Sequence, residues 1–205
     1  MTDEKKPIVP DAAAPSAPAD KPAPKPAPPA IVEQERSAAS ESWQKSLLDK
    51  LGDRVVESFV ASGEFNVIVA NDDRFLSVMD DLKAAGYNYL SDLSSVDYLN
   101  FEGEPKRFAV AYHLYTIADN HRLRVKVHLD DGEAVPSVMH IWPTADFHER
   151  EAWDLMGIPF SGREGLTRIL MPDDWTGHPL RKELAKNAGN EEYTARMVRG
   201  FKEDE

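Results

Sequence analysis

The feature that most restricts what this chain can fold into is a pair of alternating runs. Phe108, Val110, Tyr112 and Leu114 mark one of them, and Leu123, Val125, Val127 and Leu129 the next. Alternation with period two is the signature of a half-buried strand, and Ala118-Asp119-Asn120 between the runs is good turn material, so the pair reads as a β-hairpin. The opposite face of the second strand is Arg122, Arg124, Lys126 and His128. Four such side chains cannot all be buried unpaired. They meet solvent, as on the wet face of an antiparallel sheet, or they meet an acidic partner.

Elements around the hairpin follow from spacing. Trp43, Leu47, Leu48 and Leu51 recur at helical intervals and stop at Gly52, which predicts a first helix with a glycine end. Residues 64–70 read as a strand. Asn71 is placed to cap a second helix, with Asp72 and Asp73 in its first turn, Phe75, Val78, Met79 and Leu82 as its buried stripe, and Gly86 as its end. Residues 87–98 read as an irregular strand, residues 137–142 as another ending at Pro143, and Thr144 as the cap of a helix over residues 145–156. The sum is an α+β fold, a mixed sheet covered by helices on one face. No repeat at a period of 20–50 residues is visible, which argues against a solenoid or propeller.

The chain ends are compositionally distinct. Residues 1–30 hold nine prolines and eight alanines. Such a stretch buries too little apolar surface to offset the entropy of ordering it, so residues 1–36 are expected to be a disordered, semi-stiff tail. The folded domain is expected over 37–183, with an irregular C-terminal extension and an acidic tail over 184–205. Of the 36 acidic and 24 basic residues, the body from 37 to 182 holds 24 and 15, so the net charge of −12 belongs mainly to it. That field repels polyanions, which argues against nucleic acid as a partner and against direct attraction to anionic lipid. There is no cysteine, hence no disulfide, no thiol nucleophile and no cysteine-held zinc or iron–sulfur cluster. No run approaches the ~20 apolar residues that span a bilayer, and the N-terminus lacks a secretory h-region. The chain is expected to be soluble and intracellular, reaching a membrane through partners only.

The most informative stretch is 144–183. On its helix, Asp146, Arg150 and Asp154 stand four apart and are expected to pair in series, while Glu149 and Glu151 point to other sides. A helix that is polar nearly all round bridges solvent or docks on a polar surface. Residues 156–171 mix Ile158, Phe160, Leu166, Ile169 and Leu170 with Arg163 and Arg168 at no clean period, and apolar content argues against disorder, which points to a partner-docking surface. A metal reading of His148-Glu149-x-Glu151, or of His140 with His148, offers at most two ligands on one helix face. His178, between Gly177 and Pro179, is a titrating switch or a histidine hydrogen-bonded in a turn.

Glu149-Arg150-Glu151-Ala152-Trp153-Asp154-Leu155-Met156-Gly157-Ile158, with Phe160, Gly162, Arg168-Ile169-Leu170 and Gly177-His178-Pro179-Leu180-Arg181-Lys182, closely resembles the signature of the 30 kDa subunit family of respiratory complex I, the C-subunit of bacterial NADH:quinone oxidoreductases. Leu90-Ser91-Asp92-Leu93 and Val96-Asp97-Tyr98 are also similar to that family. The resemblance covers roughly 45–183 and leaves out both tails. It departs at Arg163, where the family commonly has histidine, and at Thr167, where it has arginine.

The resemblance implies a non-catalytic structural subunit in the peripheral arm of a proton-pumping enzyme, with no catalytic residue, metal or cofactor of its own. The whole complex is implied to use FMN, iron–sulfur clusters, NADH and quinone. Implied partners are the quinone-site (49 kDa-type) subunit and the iron–sulfur subunits, on the cytoplasmic side of the bacterial inner membrane. Glu149, Arg150, Glu151, Trp153, Asp154, Arg163, Arg168, His178, Arg181 and Lys182 are expected at that partner interface. The alternatives are the equivalent subunit of a membrane-bound hydrogenase or another quinone reductase, and a stand-alone protein-binding module.

Overall fold

In a computed structural model the chain divides into two units, Met1–Glu33 and Gln34–Glu205, and the structure describes residues 35–101 and 103–184. The expected N-terminal tail, apart from Glu35 and Arg36, and the expected acidic C-terminal tail, apart from Leu184, lie outside the described residues.

Elements run in the order α1 (Ser42–Leu51), β1 (Val55–Ala61), β2 (Glu64–Val69), α2 (Phe75–Ala84), β3 (Tyr89–Asp97), β4 (Phe108–Thr116), β5 (His121–Leu129), β6 (Val135–Pro136), α3 (Ala145–Met156) and β7 (Phe160–Ser161). The main sheet has the order β1-β2-β5-β4-β3 and is mixed, because β2 and β5 are parallel while every other neighbouring pair is antiparallel. The hairpin forms as the alternation predicts, with Val110 opposite Val127 and Tyr112 opposite Val125. A turn containing Asn120 at φ 58° joins its strands. Residues 87–98 keep their predicted irregularity as a register shift between Leu90 and Asp92.

One apolar cluster joins the inward residues of the strands to all three helices: Leu47 and Leu51 from α1, Phe75, Val78, Met79 and Leu82 from α2, and Ala145 and Ala152 from α3. The α2 stripe matches its predicted residues one for one. Burying each of its four large side chains is worth about 2 kcal/mol, so apolar burial holds this layer.

The structure departs from the sequence reading at four points. β1 had no counterpart among the strands expected from the sequence; it hairpins onto β2 through Ser62 and Gly63, both at positive φ, the geometry of a type I′ turn. The second helix starts at Phe75 rather than beside Asn71, because Asp72 turns its carboxylate onto the Arg74 N–H (2.9 Å) and Asn71 donates to Glu133 (2.7 Å) and to the Ala134 carbonyl (3.0 Å). Residues 137–142 form a turn, not a strand: the Ile141 and Trp142 N–H groups both donate to the Val138 carbonyl, and the Trp142 indole donates to the Tyr87 carbonyl at 3.0 Å. Only Val135–Pro136 just upstream is extended, paired in parallel with β7. Helix α3 spans its predicted residues, but the Thr144 hydroxyl makes no capping bond.

Candidate functional site

Helix α3 carries its acids inward. The Glu149 side chain is fully buried, accepting the Ser137 hydroxyl (2.7 Å), the Val138 N–H (2.8 Å) and Nη1 of Arg163 (3.1 Å). The Arg163 guanidinium, itself buried, also bonds Asp146. Burial pushes the Glu149 carboxyl up from its ordinary value, against the opposing pull of Ser137, Val138 and Arg163.

One turn on, Asp154 organises the segment after β7. Its Oδ2 accepts three successive N–H groups, those of Ile169, Leu170 and Met171 at 2.9–3.0 Å, and its Oδ1 takes Nη1 of Arg168 at 2.6 Å. Burial works to raise this carboxyl, but the N–H groups and Arg168 outweigh it and hold it below its ordinary value. With their backbone tied inward, Ile169 and Leu170 stay exposed.

The Gly177-His178-Pro179-Leu180 run closes the end of α3. A helix leaves its last carbonyls unpaired. Here the Asp154 carbonyl accepts from Nδ1 of His178 (3.0 Å), which fixes the ring hydrogen on that nitrogen, and the Leu155 carbonyl accepts from the Leu180 N–H (3.0 Å). Gly157 ends the helix at φ 73° with the His178 ring against it; a Cβ there would lie 2.5 Å from Cδ2 of His178, so only glycine fits. Trp153 meets the same ring edge-on at 5.9 Å and carries the Arg168 guanidinium 5.5 Å over its own.

A third acid was not picked out as a site residue. Asp97, at the end of β3 and fully buried, accepts the Leu99 and Lys182 N–H groups at 2.9 Å and pairs with Arg107 at 3.3 Å. Burial opposes ionisation, yet Arg107 and the two N–H groups hold this carboxyl low. Arg107 and Arg181 share Asp131 (2.7 and 2.5 Å) and Glu183, and both guanidiniums lie over the Phe108 ring. The available signal was Val96-Asp97-Tyr98, where an acid ends a strand beside a Tyr.

The predicted residues therefore come together, but as an internal clasp. The side chains of Glu149, Asp154 and Arg163 are buried and paired within the chain. The expected series Asp146–Arg150–Asp154 does not form, since Arg150 donates to the carbonyls of Thr167 (3.1 Å) and Arg168 (2.9 Å), while the two aspartates take Arg163 and Arg168. His178 bonds a helix end rather than its own turn. Glu151 is exposed, and Lys182 places its ammonium 3.7 Å over the Phe101 ring. What the clasp leaves outward includes two large apolar side chains, Leu170 and Leu180, both more than half exposed, among exposed polar residues such as Glu164 and Asp173. His148 faces Asp92 at 3.6 Å, and among the described residues no three His, Asp or Glu are grouped to hold a metal. Among them, too, no helix is long and apolar enough to cross a membrane.

Fold and site define an α+β domain in which several charged signature residues, Glu149, Asp154, Arg163 and Arg168 among them, fix its own C-terminal segment. Residues 68–189 match the family described as "Respiratory-chain NADH dehydrogenase, 30 Kd subunit", and the chain belongs to that family. It is similar to the C-subunit of the NADH-quinone oxidoreductase of Geotalea uraniireducens, 40% identical over 158 residues, which cover 74% of this chain and 92% of the relative. It is 46% identical over 119 residues to the corresponding NADH-quinone oxidoreductase subunit of Moorella thermoacetica, covering 57% of this chain and 78% of that one. A chain of a solved archaeal respiratory membrane complex, the membrane-bound sulfane sulfur reductase, shares the fold with a TM-score of 0.59 at 24% identity, covering 76% of this chain and 88% of that chain.

Proposed function

We propose that this chain is a structural subunit of the peripheral arm of an NADH-quinone oxidoreductase, holding the quinone-site subunit and the iron–sulfur subunits in register while carrying no catalytic centre itself. Family membership and the names of its relatives support the complex. The observation that carries the role is the clasp: three buried carboxylates fix residues 162–184 without regular secondary structure and leave Ile169, Leu170 and Leu180 facing outward. Stable partner interfaces want such preordered apolar anchors inside a polar rim, because ordering a loop on binding costs affinity. FMN, the iron–sulfur clusters, NADH and quinone belong in this reading to neighbouring chains, and the subunit sits on the cytoplasmic side of the membrane through them.

The test is to tag the chain in its native cell, extract membranes in mild detergent and identify what co-purifies near stoichiometry. Quinone-site, iron–sulfur and flavin subunits are expected, and Leu170→Asp with Leu180→Asp is expected to deplete them. Recovery of the unsubstituted chain alone in the soluble fraction would overturn the proposal.

A further inference from the structure

The sheet face opposite the helices carries a cavity that shares no residue with the clasp. It has a volume of about 550 Å³ and opens where β1, β2 and β5 meet the loop 103–106. Its floor is Lys126 and His128 of β5, and its walls include Val56, Phe59, Ile68 and Pro105. That volume is in the range of pockets that hold small molecules.

The polar groups of this cavity are unequally committed. Arg36 pairs with Glu57 at 3.2 Å, and Lys106 pairs with Glu133 (2.7 Å) and Asp130 (3.2 Å). Lys126 is half-buried and makes no ion pair among the described residues. Beside it the His128 side chain is only 8% exposed, and its Nδ1 is buried without a hydrogen-bond partner among the described residues; the nearest acid, Glu104, stands off at 3.8 Å. Burial lowers the proton affinity of both groups, with Glu104 and Glu57 pulling the other way. Buried polar groups are ordinarily satisfied, and each that is not calls for an explanation. On the same face β4 contributes Ala109 and Ala111 opposite His128 and Lys126, side chains too small to reach either group.

We infer that this cavity is a binding site for a small monocarboxylate with an apolar body, its carboxylate on Lys126 and within reach of His128, its body against Phe59 and Ile68. Lys126, a lining cation without an ion pair among the described residues, supplies the positive charge for one carboxylate, while the lining acid Glu104 lies 3.8 Å from His128. Apolar walls on a floor that is otherwise polar match an amphiphile rather than a small inorganic anion. The site makes no use of the quinone oxidoreductase assignment and stands or falls separately from it.

The probe is sodium octanoate, titrated into the ¹⁵N-labelled full chain and followed by amide chemical shifts. Saturable shifts confined to β2, β5 and residues 103–106 are expected. Acetate, which lacks the body, and octan-1-ol, which lacks the charge, are each expected to bind at least about tenfold more weakly. Lys126→Gln should weaken octanoate binding roughly fivefold or more and Lys126→Arg should restore most of it, with amides outside the site unchanged as the check on folding. Val56→Glu, on an exposed wall, should weaken octanoate without touching Lys126. Absence of saturation up to about 10 mM octanoate, or equal binding of octanoate by the Lys126→Gln chain, overturns the inference.

Discussion

The sheet-and-helix body and the segment 162–184 are held by opposite physics. In the body, Val67, Val110, Val125 and Leu82 are buried to within a few per cent and contribute by apolar burial, which is non-directional and scarcely sensitive to pH or salt. The C-terminal segment has no regular element of its own and hangs on Glu149, through Arg163, and on Asp154 and Asp97. A carboxylate that receives two or three N–H or O–H groups and an arginine is directional, and losing it leaves buried donors and a buried cation without that partner. The body should therefore survive injuries that release the segment.

The largest break is Asp154→Ala. It orphans three backbone N–H groups and takes the carboxylate partner from Arg168 at once, and removal of one partner of a buried pair costs about 3–5 kcal/mol. Hydrogen exchange should show residues 162–184 losing protection while β2, β4 and β5 keep theirs. Equal loss in both regions would mean that they are one cooperative unit. Phe75→Ala is the converse injury, about 3–5 kcal/mol taken from the body, and it should lower protection everywhere.

Next in size is Gly157→Ala, at about 2 kcal/mol from a positive φ and the collision with His178. The two causes separate in a double-mutant cycle. His178→Ala removes the collision, so Gly157→Ala should cost less in that background, the remainder being backbone strain. Additive effects would show that the ring yields freely.

Acid should distinguish the regions without mutation. The folded-state values of Asp154 and Asp97 lie below their ordinary ones, so both contribute stability above the ordinary aspartate range and lose it as pH falls through the lowered values. Glu149 has the opposite sign: its value is raised, so ionising it costs stability as pH climbs from its ordinary value through the raised one. Acidification from pH 7 to below the aspartate range, about pH 3, should open 162–184 to limited proteolysis before far-UV circular dichroism reports loss of the sheet. Asp154→Asn should open the segment at neutral pH and flatten its acid response.

How far the sequence carried follows the same division. Alternation in β4 and β5 and the Phe75-Val78-Met79-Leu82 stripe are local patterns set by which face is apolar, and they were legible. The short run Ser137–Trp142 has the apolar content of a strand, yet Glu149 on a later helix draws in Ser137 and Val138 and bends it. In the clasp the residues were picked out but their partners were not. Local spacing put Arg150 between Asp146 and Asp154, whereas arginines 14 and 17 residues further on, Arg168 and Arg163, took those acids. Nothing in residue spacing says which of four arginines meets which acid, because that is settled by the path of an irregular chain. Asp97 shows the same limit, since its partners Arg107 and the Lys182 N–H lie 10 and 85 residues away.

The smallest effect sharpens the comparison from inside the charged region. Asp131 bridges Arg107 and Arg181 at 2.5–2.7 Å, closer contacts than the 3.3 Å pair between Arg107 and Asp97, yet its side chain is half-exposed while that of Asp97 is buried. Exposed ion pairs are worth about 0–1 kcal/mol, because water and salt already screen them. Asp131→Asn is thus expected to cost less than about 1 kcal/mol and to cost less still in 1 M salt, whereas Asp97→Asn, which weakens a buried acceptor of two N–H groups, should release residues 181–184 at any salt concentration. The measurement is the salt dependence of segment opening by hydrogen exchange in the two variants. If Asp131→Asn proved as damaging as Asp97→Asn, contact distance rather than burial would be what holds the clasp, and the contrast with the apolar body would have to be drawn on geometry instead.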